Sequence, residues 1–406
     1  MIFVEIFFGI FFLVNIIFLL KIAFIQDNVI SKKSVFSPEI NSEINSETNQ
    51  KNIPKISILV AARNEEKNIL RCLTSLQNLD YPKEKLQILI GNDASDDNTA
   101  LIIKKFISEN SLSNSLETHF ETHFETHFEL VEITENIAEL KGKTNVLAQL
   151  AHCATGEYFF FTDADIAVPH TWINGMLDIS KSGKNNSQNT SQSKEIGIIT
   201  GFTLIEGEDI FHHLQSLDWS LALGMIRAFG TFNLPVTSMG NNMAVSRKAY
   251  EACGGYEKIG FSLVEDFALF RSIIDKDFGF KNLISKQITA FSMPILSFAK
   301  LMEQRKRWLF GVLKVPLYMF LLLSLQGLFF PVIGIFMLFE PEKAVFVLIS
   351  KVIIQSIFIY AVLQKTGTTR SAKYLIFYEF YVAFTSVLLV IYWIFPRKVE
   401  WKGRFY

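Results

Sequence analysis

The sequence predicts an α/β fold: a mainly parallel sheet with helices on both faces, plus N-terminal and C-terminal transmembrane helices. Two observations lead to this prediction. Between residues 55 and 163, short apolar runs alternate with segments of helical periodicity, which is the pattern of a parallel sheet covered on both faces. Residues 1–24 and 309–396 are dense in Phe, Ile, Leu and Val, and half of the 406 residues are apolar.

The first apolar segment, residues 1–24, is predicted to be an N-terminal transmembrane anchor. About 20 apolar residues suffice to cross a bilayer. The segment lacks a basic N-terminal region and a small-residue cleavage site, so we interpret it as an uncleaved anchor rather than a signal peptide. Lys21, Lys32 and Lys33 lie at its C-terminal side, which places the next domain in the cytoplasm. We therefore expect a multi-pass protein of the cell (inner) membrane.

Residues 25–54 are polar, rich in Asn, Ser and Glu, and are predicted to be a linker. The α/β domain is expected to span residues 55–308. Its predicted strands are Ile56–Ala62, Leu86–Ile90, Val131–Ile133 and Tyr158–Thr162, and its first predicted helices are residues 64–78, a helix from about Asp97, and residues 145–154.

Three polar residues each follow one of these predicted strands: Arg63, Asp93 and Asp163. In parallel sheets, ligands bind beyond the carboxyl ends of the strands. We therefore expect these three side chains to share one ligand site.

Residues 309–396 form a C-terminal membrane region with two or three spanning segments, the candidates being Leu317–Phe339, Ala344–Leu363 and Tyr374–Phe395. If all three cross, the basic tail at 397–406 lies outside. If the first is instead re-entrant or interfacial, broken near Gly327 and Pro331, the tail is cytoplasmic. The distribution of basic residues slightly favours the second arrangement, and both remain open.

Two segments of the α/β domain read as insertions. Glu117–Phe128 repeats Glu-Thr-His-Phe three times, so His119, His123 and His127 are spaced to bind a metal from one helix face. A repeat expansion in a surface loop explains the same pattern better, because tandem repetition is typical of low-complexity sequence. Residues 181–194, rich in Ser, Asn and Gln, predict a flexible loop.

Charge and cysteine content restrict the class of protein further. The formal net charge of −1 supplies no basic field, so no nucleic-acid partner is expected. Cys72, Cys153 and Cys253 are isolated, odd in number and without metal-type spacing. They fit buried thiols in a reducing compartment rather than a disulfide framework.

The first candidate site is Asp163-Ala164-Asp165, at the end of a strand of consecutive apolar residues. Two carboxylates one residue apart suit Mg²⁺ or Mn²⁺, which prefer oxygen ligands and share their coordination shell with substrate phosphates. Taken alone, the pair also fits a solvated turn.

Three other candidate groups have structural alternatives of their own. Glu265 and Asp266 begin the predicted helix Val264–Ile274, where carboxylates also serve as N-terminal caps. Lys143 is positioned either in a solvated turn or beside a diphosphate. The basic residues of 304–308 are either functional or a charge belt beside the membrane.

The ordered combination favours a functional site over independent turns and caps. Together these residues suit transfer from a nucleotide-diphosphate donor. A metal and Arg307 would neutralise the departing diphosphate, and a carboxylate would take the proton from an acceptor hydroxyl. Trp308 would offer a flat apolar face to a sugar or a lipid headgroup.

From Lys55 to Trp308 the chain resembles a membrane-bound family 2 glycosyltransferase with the GT-A fold. The motifs that carry the resemblance are Ala61-Ala62-Arg63-Asn64-Glu65, Asn92-Asp93, Asp163-Ala164-Asp165, Glu265-Asp266 and Gln304-Arg305-Lys306-Arg307-Trp308. The last matches the family's Q-x-x-R-W pattern, and the D-x-D pair is also present. Asn92 departs from the more usual paired aspartates at its position.

The resemblance implies a role for each matching residue. The nucleotide pocket would be lined by Ala61, Arg63, Glu65 and Asp93. Lys143 would lie near the donor phosphates, and Asp163 and Asp165 would hold the diphosphate through Mg²⁺ or Mn²⁺. Asp266, with Glu265 beside it, would be the general base of an inverting transfer, and the acceptor and diphosphate would be covered by Gln304, Arg307 and Trp308.

The layout is similar to that of the ceramide glucosyltransferase subgroup. The resemblance therefore implies a UDP-sugar donor and a membrane lipid acceptor, although a glycan acceptor is open. A processive polysaccharide synthase shares the motifs but usually has more spanning helices for a polymer channel. A membrane scaffold without activity is the third alternative, and the intact acidic set argues against it. The sugar, the acceptor and the oligomeric state are not determined by the sequence.

Overall fold

The computed structural model describes residues 2–25, 53–116, 127–182, 194–312, 315–394, 400–401 and 404–405. The predicted linker at 26–52, the repeat at 117–126 with His119 and His123, the loop at 183–193, and residues 395–399, 402–403 and 406 of the tail lie outside the described residues.

The chain divides into two compact units. The first, here called the sheet unit, comprises Gln26–Gly201 and Ser238–Ala290. The second, the helical unit, comprises Met1–Ile25, Phe202–Thr237 and Phe291–Tyr406. Parts of the predicted 55–308 domain, including residues 304–308, therefore belong to the same compact unit as the apolar helices.

The strands, in chain order, are β1 (Ile56–Ala62), β2 (Leu86–Asn92), β3 (His127–Glu132), β4 (Tyr158–Asp163), β5 (Ile166–Ala167), β6 (Ile196–Thr200), β7 (Phe202–Ile205), β8 (Asn242–Ser246), β9 (Gly279–Asn282), β10 (Thr289–Ser292), β11 (Glu400–Trp401) and β12 (Arg404–Phe405). The α-helices are α1 (Ile2–Phe24), α2 (Ile69–Gln77), α3 (Thr99–Leu116), α4 (Gly142–Cys153), α5 (Trp172–Ser182), α6 (Ile210–Thr231), α7 (Arg247–Cys253), α8 (Gly255–Ile259), α9 (Glu265–Asp275), α10 (Phe298–Val312), α11 (Leu317–Gly327), α12 (Phe329–Phe339), α13 (Pro341–Thr366) and α14 (Leu375–Ile394). Short 3₁₀ helices occupy Lys83–Lys85, Lys286–Ile288 and Thr369–Tyr374.

The sheet unit is built on a seven-stranded sheet with the order β3-β2-β1-β4-β8-β6-β9. Neighbouring strands are parallel except that β8 runs antiparallel to both β4 and β6. Alternate side chains of β1 enter two different cores: Ile58 and Val60 pack in one, and Leu59 packs in the other. Both faces of the sheet are therefore covered, and the predicted α/β fold class is confirmed.

The register of the central strands brings the ends of three of them to one level. Ala61 lies opposite Gly91 of β2 on one side and opposite Asp163 of β4 on the other. Gly91 allows α4 to pack closely, since a Cβ atom there would lie 2.3 Å from Val146 Cγ1. The predicted candidates at the ends of β1, β2 and β4 thus share one edge of the sheet.

The first helix of the sheet unit begins at Ile69, five residues later than the apolar periodicity from Asn64 suggests. Asn64 has a left-handed backbone conformation with φ of +52°. Its Oδ1 accepts a hydrogen bond from the backbone N–H of Asp96 at 2.9 Å, and Asp97 Oδ2 accepts one from the N–H of Glu66 at 3.1 Å. These contacts with the loop after β2 satisfy polar groups that a helix would otherwise use.

In the helical unit, three described helices are long and apolar enough to cross a membrane: Ile2–Phe24, Pro341–Thr366 and Thr369–Ile391. A fourth candidate is the pair α11 and α12, which are bent by 40° about Leu328 and form either a broken span or a re-entrant loop. The predicted segment Leu317–Phe339 is therefore interrupted beside Gly327, as its sequence suggested. Both topologies considered above remain compatible with this break.

Aromatic side chains hold the apolar helices of this unit together. Phe8 and Phe11 of α1 pack on Phe329 of α12, with ring centroids 5.7 and 4.6 Å apart. At the other end of α1, Lys365 Nζ donates to the carbonyl oxygen of Ile25 at 2.6 Å. In the C-terminal tail, β11 and β12 pair in antiparallel orientation.

Candidate functional site

Lys143 is the cation that joins the acidic residues of the sheet unit. Its Nζ lies 2.6 Å from Asp163 Oδ1 and 2.7 Å from Glu265 Oε1. Burial disfavours a charged Lys143, but the two carboxylates outweigh it and raise the pKa of the ammonium group above its ordinary value. The start of α4, the end of β4 and the start of α9 therefore converge on one buried charge.

Asp266 is oriented by backbone donors on two sides. Its Oδ2 accepts a hydrogen bond from the N–H of Gly240 at 2.8 Å, and its Oδ1 accepts one from its neighbour Phe267 at 2.8 Å. Burial, followed by the adjacent Glu265 carboxylate, raises the pKa of Asp266 to about 6 despite the opposing effects of Lys143 and these N–H groups. A carboxylate with such a pKa is a better proton acceptor than an ordinary aspartate near neutral pH.

The approach of Gly240 to Asp266 depends on the absence of a side chain. A Cβ atom on Gly240 would lie 3.0 Å from Asp266 Cβ and 3.4 Å from its Oδ2. On the same side, Ser238 Oγ donates to the carbonyl oxygen of Asp266 at 3.1 Å. The segment before β8 therefore sets the orientation of Asp266, and nothing in the sequence pattern pointed to Ser238 or Gly240.

Arg63 ties the end of β1 to the loop after β2. Its Nη1 donates to the carbonyl oxygens of Asp93 and Ala94, the second at 3.0 Å, and its Nη2 lies 3.7 Å from Asp96 Oδ2. The N–H of Asp93 donates to the carbonyl oxygen of Ala62 at 2.9 Å. The structure thus places the Arg63 guanidinium group against the main chain of Asp93, and the shared ligand site stays a prediction.

Glu65 anchors the segment after β1 to the start of α3, and Asn92 joins the end of β2 to the end of β3. Glu65 is buried, accepts a hydrogen bond from Asn68 Nδ2 at 2.9 Å, and its N–H donates to Thr99 Oγ1 at 2.7 Å. Asn92 Nδ2 donates to Glu132 Oε2 at 2.6 Å, and this bond lowers the pKa of the Glu132 carboxyl. An aspartate in place of Asn92 would face Glu132 with a like charge, so the amide suits this position better than the carboxylate of the paired-aspartate pattern.

The D-x-D pair occupies the step from β4 to β5. Asp163 and Asp165 are both half-buried, while Ala164 between them is buried in the core. Among the described residues, no group of three or more His, Cys, Asp or Glu side chains is placed to hold a metal ion. Two carboxylates nevertheless fit Mg²⁺ or Mn²⁺, since such sites are usually completed by substrate phosphates and water.

The predicted acceptor residues lie on α10, in the helical unit. Lys306 is buried, and Arg305 is largely so, with 18% of its side chain exposed. Arg307 Nε is buried and has no hydrogen-bond partner in the described part of the chain. Trp308 packs edge-to-face against Trp219 of α6, with ring centroids 5.6 Å apart.

The match to a family model identifies the class of this protein. Residues 16–406 match glycosyl transferase family 21, and the chain therefore belongs to that family. This is a family of glycosyltransferases, the class of protein that the motifs indicated. The family number differs from the predicted family 2, because the shared motifs do not by themselves separate the two families.

Two bacterial relatives match about half of the chain. The probable glycosyltransferase YdaM of Bacillus subtilis (strain 168) is 26% identical over 52% of this chain and 44% of its own length. Poly-beta-1,6-N-acetyl-D-glucosamine synthase of Staphylococcus aureus (strain COL) is 25% identical over 54% of this chain and 47% of its own length. The aligned region thus spans less than half of either relative.

Solved structures are also matched, and one of them is matched over most of both chains. It is the mannosyltransferase PcManGT from Pyrobaculum calidifontis in complex with GDP-Man and Mn²⁺, with a TM-score of 0.47 and 16% sequence identity. The match covers 84% of this chain and 87% of that one.

Replacing Lys143 by Met is expected to destabilise the sheet unit by about 3–5 kcal/mol, because Asp163 and Glu265 would keep their charges without a cation. Thermal unfolding of the purified protein at pH 7 measures the effect. The control is Lys141→Met, two residues earlier and exposed, for which a change within about 0.5 kcal/mol is expected. Equal shifts in the two variants would contradict the bridging role of Lys143.

Proposed function

We propose that this protein is a membrane-bound inverting glycosyltransferase that moves a sugar from a nucleotide-diphosphate sugar to a hydroxyl of a membrane lipid. The observation that carries the proposal is the geometry of Asp266. Two backbone N–H groups orient its carboxylate, and its pKa is raised to about 6 beside the carboxylates that Lys143 joins. This is the arrangement that a general base needs.

The donor would bind at the level strand ends of the sheet unit. The nucleotide pocket would be lined by Ala61, Arg63, Glu65 and Asp93. Of these, the Arg63 side chain contacts the main chain of Asp93. Lys143 would face the donor phosphates from its position beside Asp163. That the nucleotide is UDP rests on the resemblance of the motifs. In these α/β sheets, the strand ends are the usual place for such ligands.

A divalent cation would be held by Asp163 and Asp165. When bound, Mg²⁺ or Mn²⁺ neutralises negative charge on the diphosphate as it leaves the sugar. The chain's own contribution is to hold two half-buried carboxylates at the end of β4, with Ala164 buried between them.

In the transfer step, the acceptor oxygen would attack the anomeric carbon of the donor sugar. The bond from that carbon to the diphosphate oxygen breaks, and the nucleoside diphosphate leaves with the bonding electron pair. Asp266 accepts the proton of the acceptor hydroxyl, while Glu265 remains paired with Lys143. A single displacement of this kind inverts the configuration at the anomeric carbon.

The acceptor end would be formed by Gln304, Arg307 and Trp308, a role that rests on the resemblance of the motifs. Three described helices are able to span a membrane, four if the bent pair counts as one span. We propose a multi-pass protein of the cell membrane with its catalytic domain in the cytoplasm. The ceramide glucosyltransferase-like subgroup fits this layout.

A processive polysaccharide synthase is the second candidate, and the relative named as a poly-beta-1,6-N-acetyl-D-glucosamine synthase favours it. Three or four spans leave few helices from which to build a polymer channel. The lipid acceptor is therefore preferred.

Asp266→Asn is expected to lower the rate of sugar transfer by about 10²–10⁴-fold, because an amide cannot take up the acceptor proton. Donor affinity should change little. The control is Asp275→Asn at the exposed end of the same helix, which should keep full activity. Transfer at an unchanged rate in Asp266→Asn would remove Asp266 from the role of base.

The same carboxylate predicts the pH profile of transfer. Only ionised Asp266 accepts a proton, so activity should rise as pH increases through about 6 and fall about tenfold per unit below it. The residual activity of Asp266→Asn should lack this inflection. An inflection kept in that variant would assign it to another group.

Asp163→Ala and Asp165→Ala are each expected to abolish the increase in nucleotide-sugar affinity that Mn²⁺ brings about, because the substrate phosphates would lose the bridging cation. Calorimetric titration with UDP-sugars, with Mn²⁺ or with EDTA, measures this. The control is Asp178→Ala on α5, which is exposed and not part of the strand-end site. Metal-dependent binding kept in both variants would refute the metal role.

The product distinguishes the two candidate functions. Membranes containing the protein are incubated with a panel of radiolabelled nucleotide sugars, and the label is followed into the lipid extract and into material of high molecular mass. Label in a single-sugar glycolipid is expected. Label confined to polymer would replace the lipid proposal by the synthase.

A further inference from the structure

An acidic residue that no motif includes lies in the helical unit beside the QxxRW residues. Asp218 is on α6, and only 17% of its side chain is exposed. Its Oδ2 forms an ion pair with Nη2 of Arg305, and its Oδ1 accepts a hydrogen bond from the hydroxyl of Tyr378 at 2.9 Å. One carboxylate therefore joins three helices, α6, α10 and α14.

Arg305 is held at this place by charge and by an aromatic ring. Burial disfavours its charged form, but Asp218 outweighs this and raises the pKa of the guanidinium group. The same guanidinium group lies 5.5 Å from the ring centroid of Trp308, within the range of a cation–π contact. Arg305 and Trp308 are three residues apart on α10, so they lie on the same face of that helix.

The residue after Asp218 contacts Trp308 directly. Trp219 is buried, with 7% exposure, and its ring meets that of Trp308 at 72° with centroids 5.6 Å apart. Two consecutive residues of α6 thus hold two residues of α10. Asp218 acts on Trp308 through Arg305, and Trp219 acts on it by contact. Trp308 itself is half-buried.

We propose that Asp218 is a positioning residue that, with Trp219, fixes the indole of Trp308 for the acceptor. The inference rests on the proposed function, in which Trp308 contacts the acceptor. Asp218 touches neither reacting group, so its effect is on the orientation of the acceptor rather than on proton transfer. Misplacement of a positioning group by about 1 Å can lower a rate by about 10²-fold.

A purely structural role is the alternative, since removal of one partner of a buried ion pair destabilises any fold. The two roles differ in what a conservative substitution changes. Asp218→Asn keeps the shape of the side chain and an oxygen for the Tyr378 hydroxyl, but it removes the charge that holds Arg305. A structural role would lower the amount of folded protein, whereas a positioning role would change how the folded protein uses its acceptor.

The first test compares Asp218→Asn with Glu208→Gln, which removes a carboxylate from an exposed ion pair with Arg370 in the same unit. For Asp218→Asn we expect the acceptor KM to rise about tenfold or more, with donor Kd changed less than about twofold. Glu208→Gln should leave all three quantities, acceptor KM, kcat and donor Kd, unchanged. A wild-type acceptor KM in folded Asp218→Asn would overturn the proposal.

The second test does not depend on sugar transfer. The five tryptophans of the chain are replaced by 5-fluorotryptophan, and the ¹⁹F resonance of Trp308 is assigned with Trp308→Phe. Asp218→Asn should shift and broaden this resonance, and Glu208→Gln should not. An unmoved Trp308 resonance in Asp218→Asn would overturn the positioning role, even if the wild-type protein transferred no sugar. Absence of transfer in the wild type would instead contradict the proposed function.

A double variant separates the effect of Asp218 on the position of the Trp308 indole from its effect on the stability of the protein. In Asp218→Leu with Arg305→Met, apolar side chains replace the buried pair, and stability at or above that of Asp218→Leu alone is expected. The Trp308 resonance and the acceptor KM should stay perturbed. Recovery of both to wild-type values would show that Asp218 serves stability alone. Trp219→Phe, which keeps an aromatic edge, should perturb them less than Trp219→Leu.

Discussion

The sheet unit depends on one buried ammonium group. Lys143 lies within 2.7 Å of both Asp163 and Glu265, which come from distant parts of the sequence. Neighbouring carboxylates repel one another, and a cation between them offsets this repulsion. The end of β4 and the start of α9 therefore take their places relative to α4 through this contact, and Asp266 follows Glu265 into its position. The raised pKa of Asp266 follows first from its burial and second from the adjacent Glu265 carboxylate.

In the helical unit, too, buried charged side chains are paired with side chains of opposite charge, here between more apolar helices. Lys351 of α13 and Glu379 of α14 form an ion pair with 5% and 12% of their side chains exposed, and Gln355 adds a hydrogen bond at 3.1 Å. An unpaired charge within membrane-spanning helices is costly, so such residues occur in pairs. Asp218 and Arg305 repeat the arrangement beside the QxxRW segment. Charges inside this unit thus specify which helices meet.

Much of the local structure was predictable from the residues. The bounds of β1 and α1 agree with the sequence, because a run of β-branched and aliphatic residues and a 23-residue apolar stretch each allow few alternatives. The start of α2 was not predictable. The apolar periodicity of the sequence predicts a helix that starts at Asn64. The Asn64 side chain instead accepts a hydrogen bond from the loop after β2, which is about 30 residues away in the chain. Local periodicity carries no information about such a partner.

The candidate site was predictable in its members and less so in its contacts. The carboxylates at strand ends were visible because strand ends of a parallel sheet share one edge. The bond from Asn92 to Glu132 and the approach of Gly240 to Asp266 were not visible, because each joins segments whose pairing depends on the folded sheet. Asp218 left one faint signal, since it is the lone acidic residue of α6.

The sequence by itself determined the class of fold, the apolar helices and the glycosyltransferase motifs, since periodicity, segment length and residue spacing are properties of neighbouring residues. The tertiary structure alone decided which cation pairs with which carboxylate, how Asp266 acquires its raised pKa, and how Trp219 of α6 packs against Trp308. Electrostatic interactions and burial act through space between residues far apart in the chain. Their outcome exists only once the chain has folded.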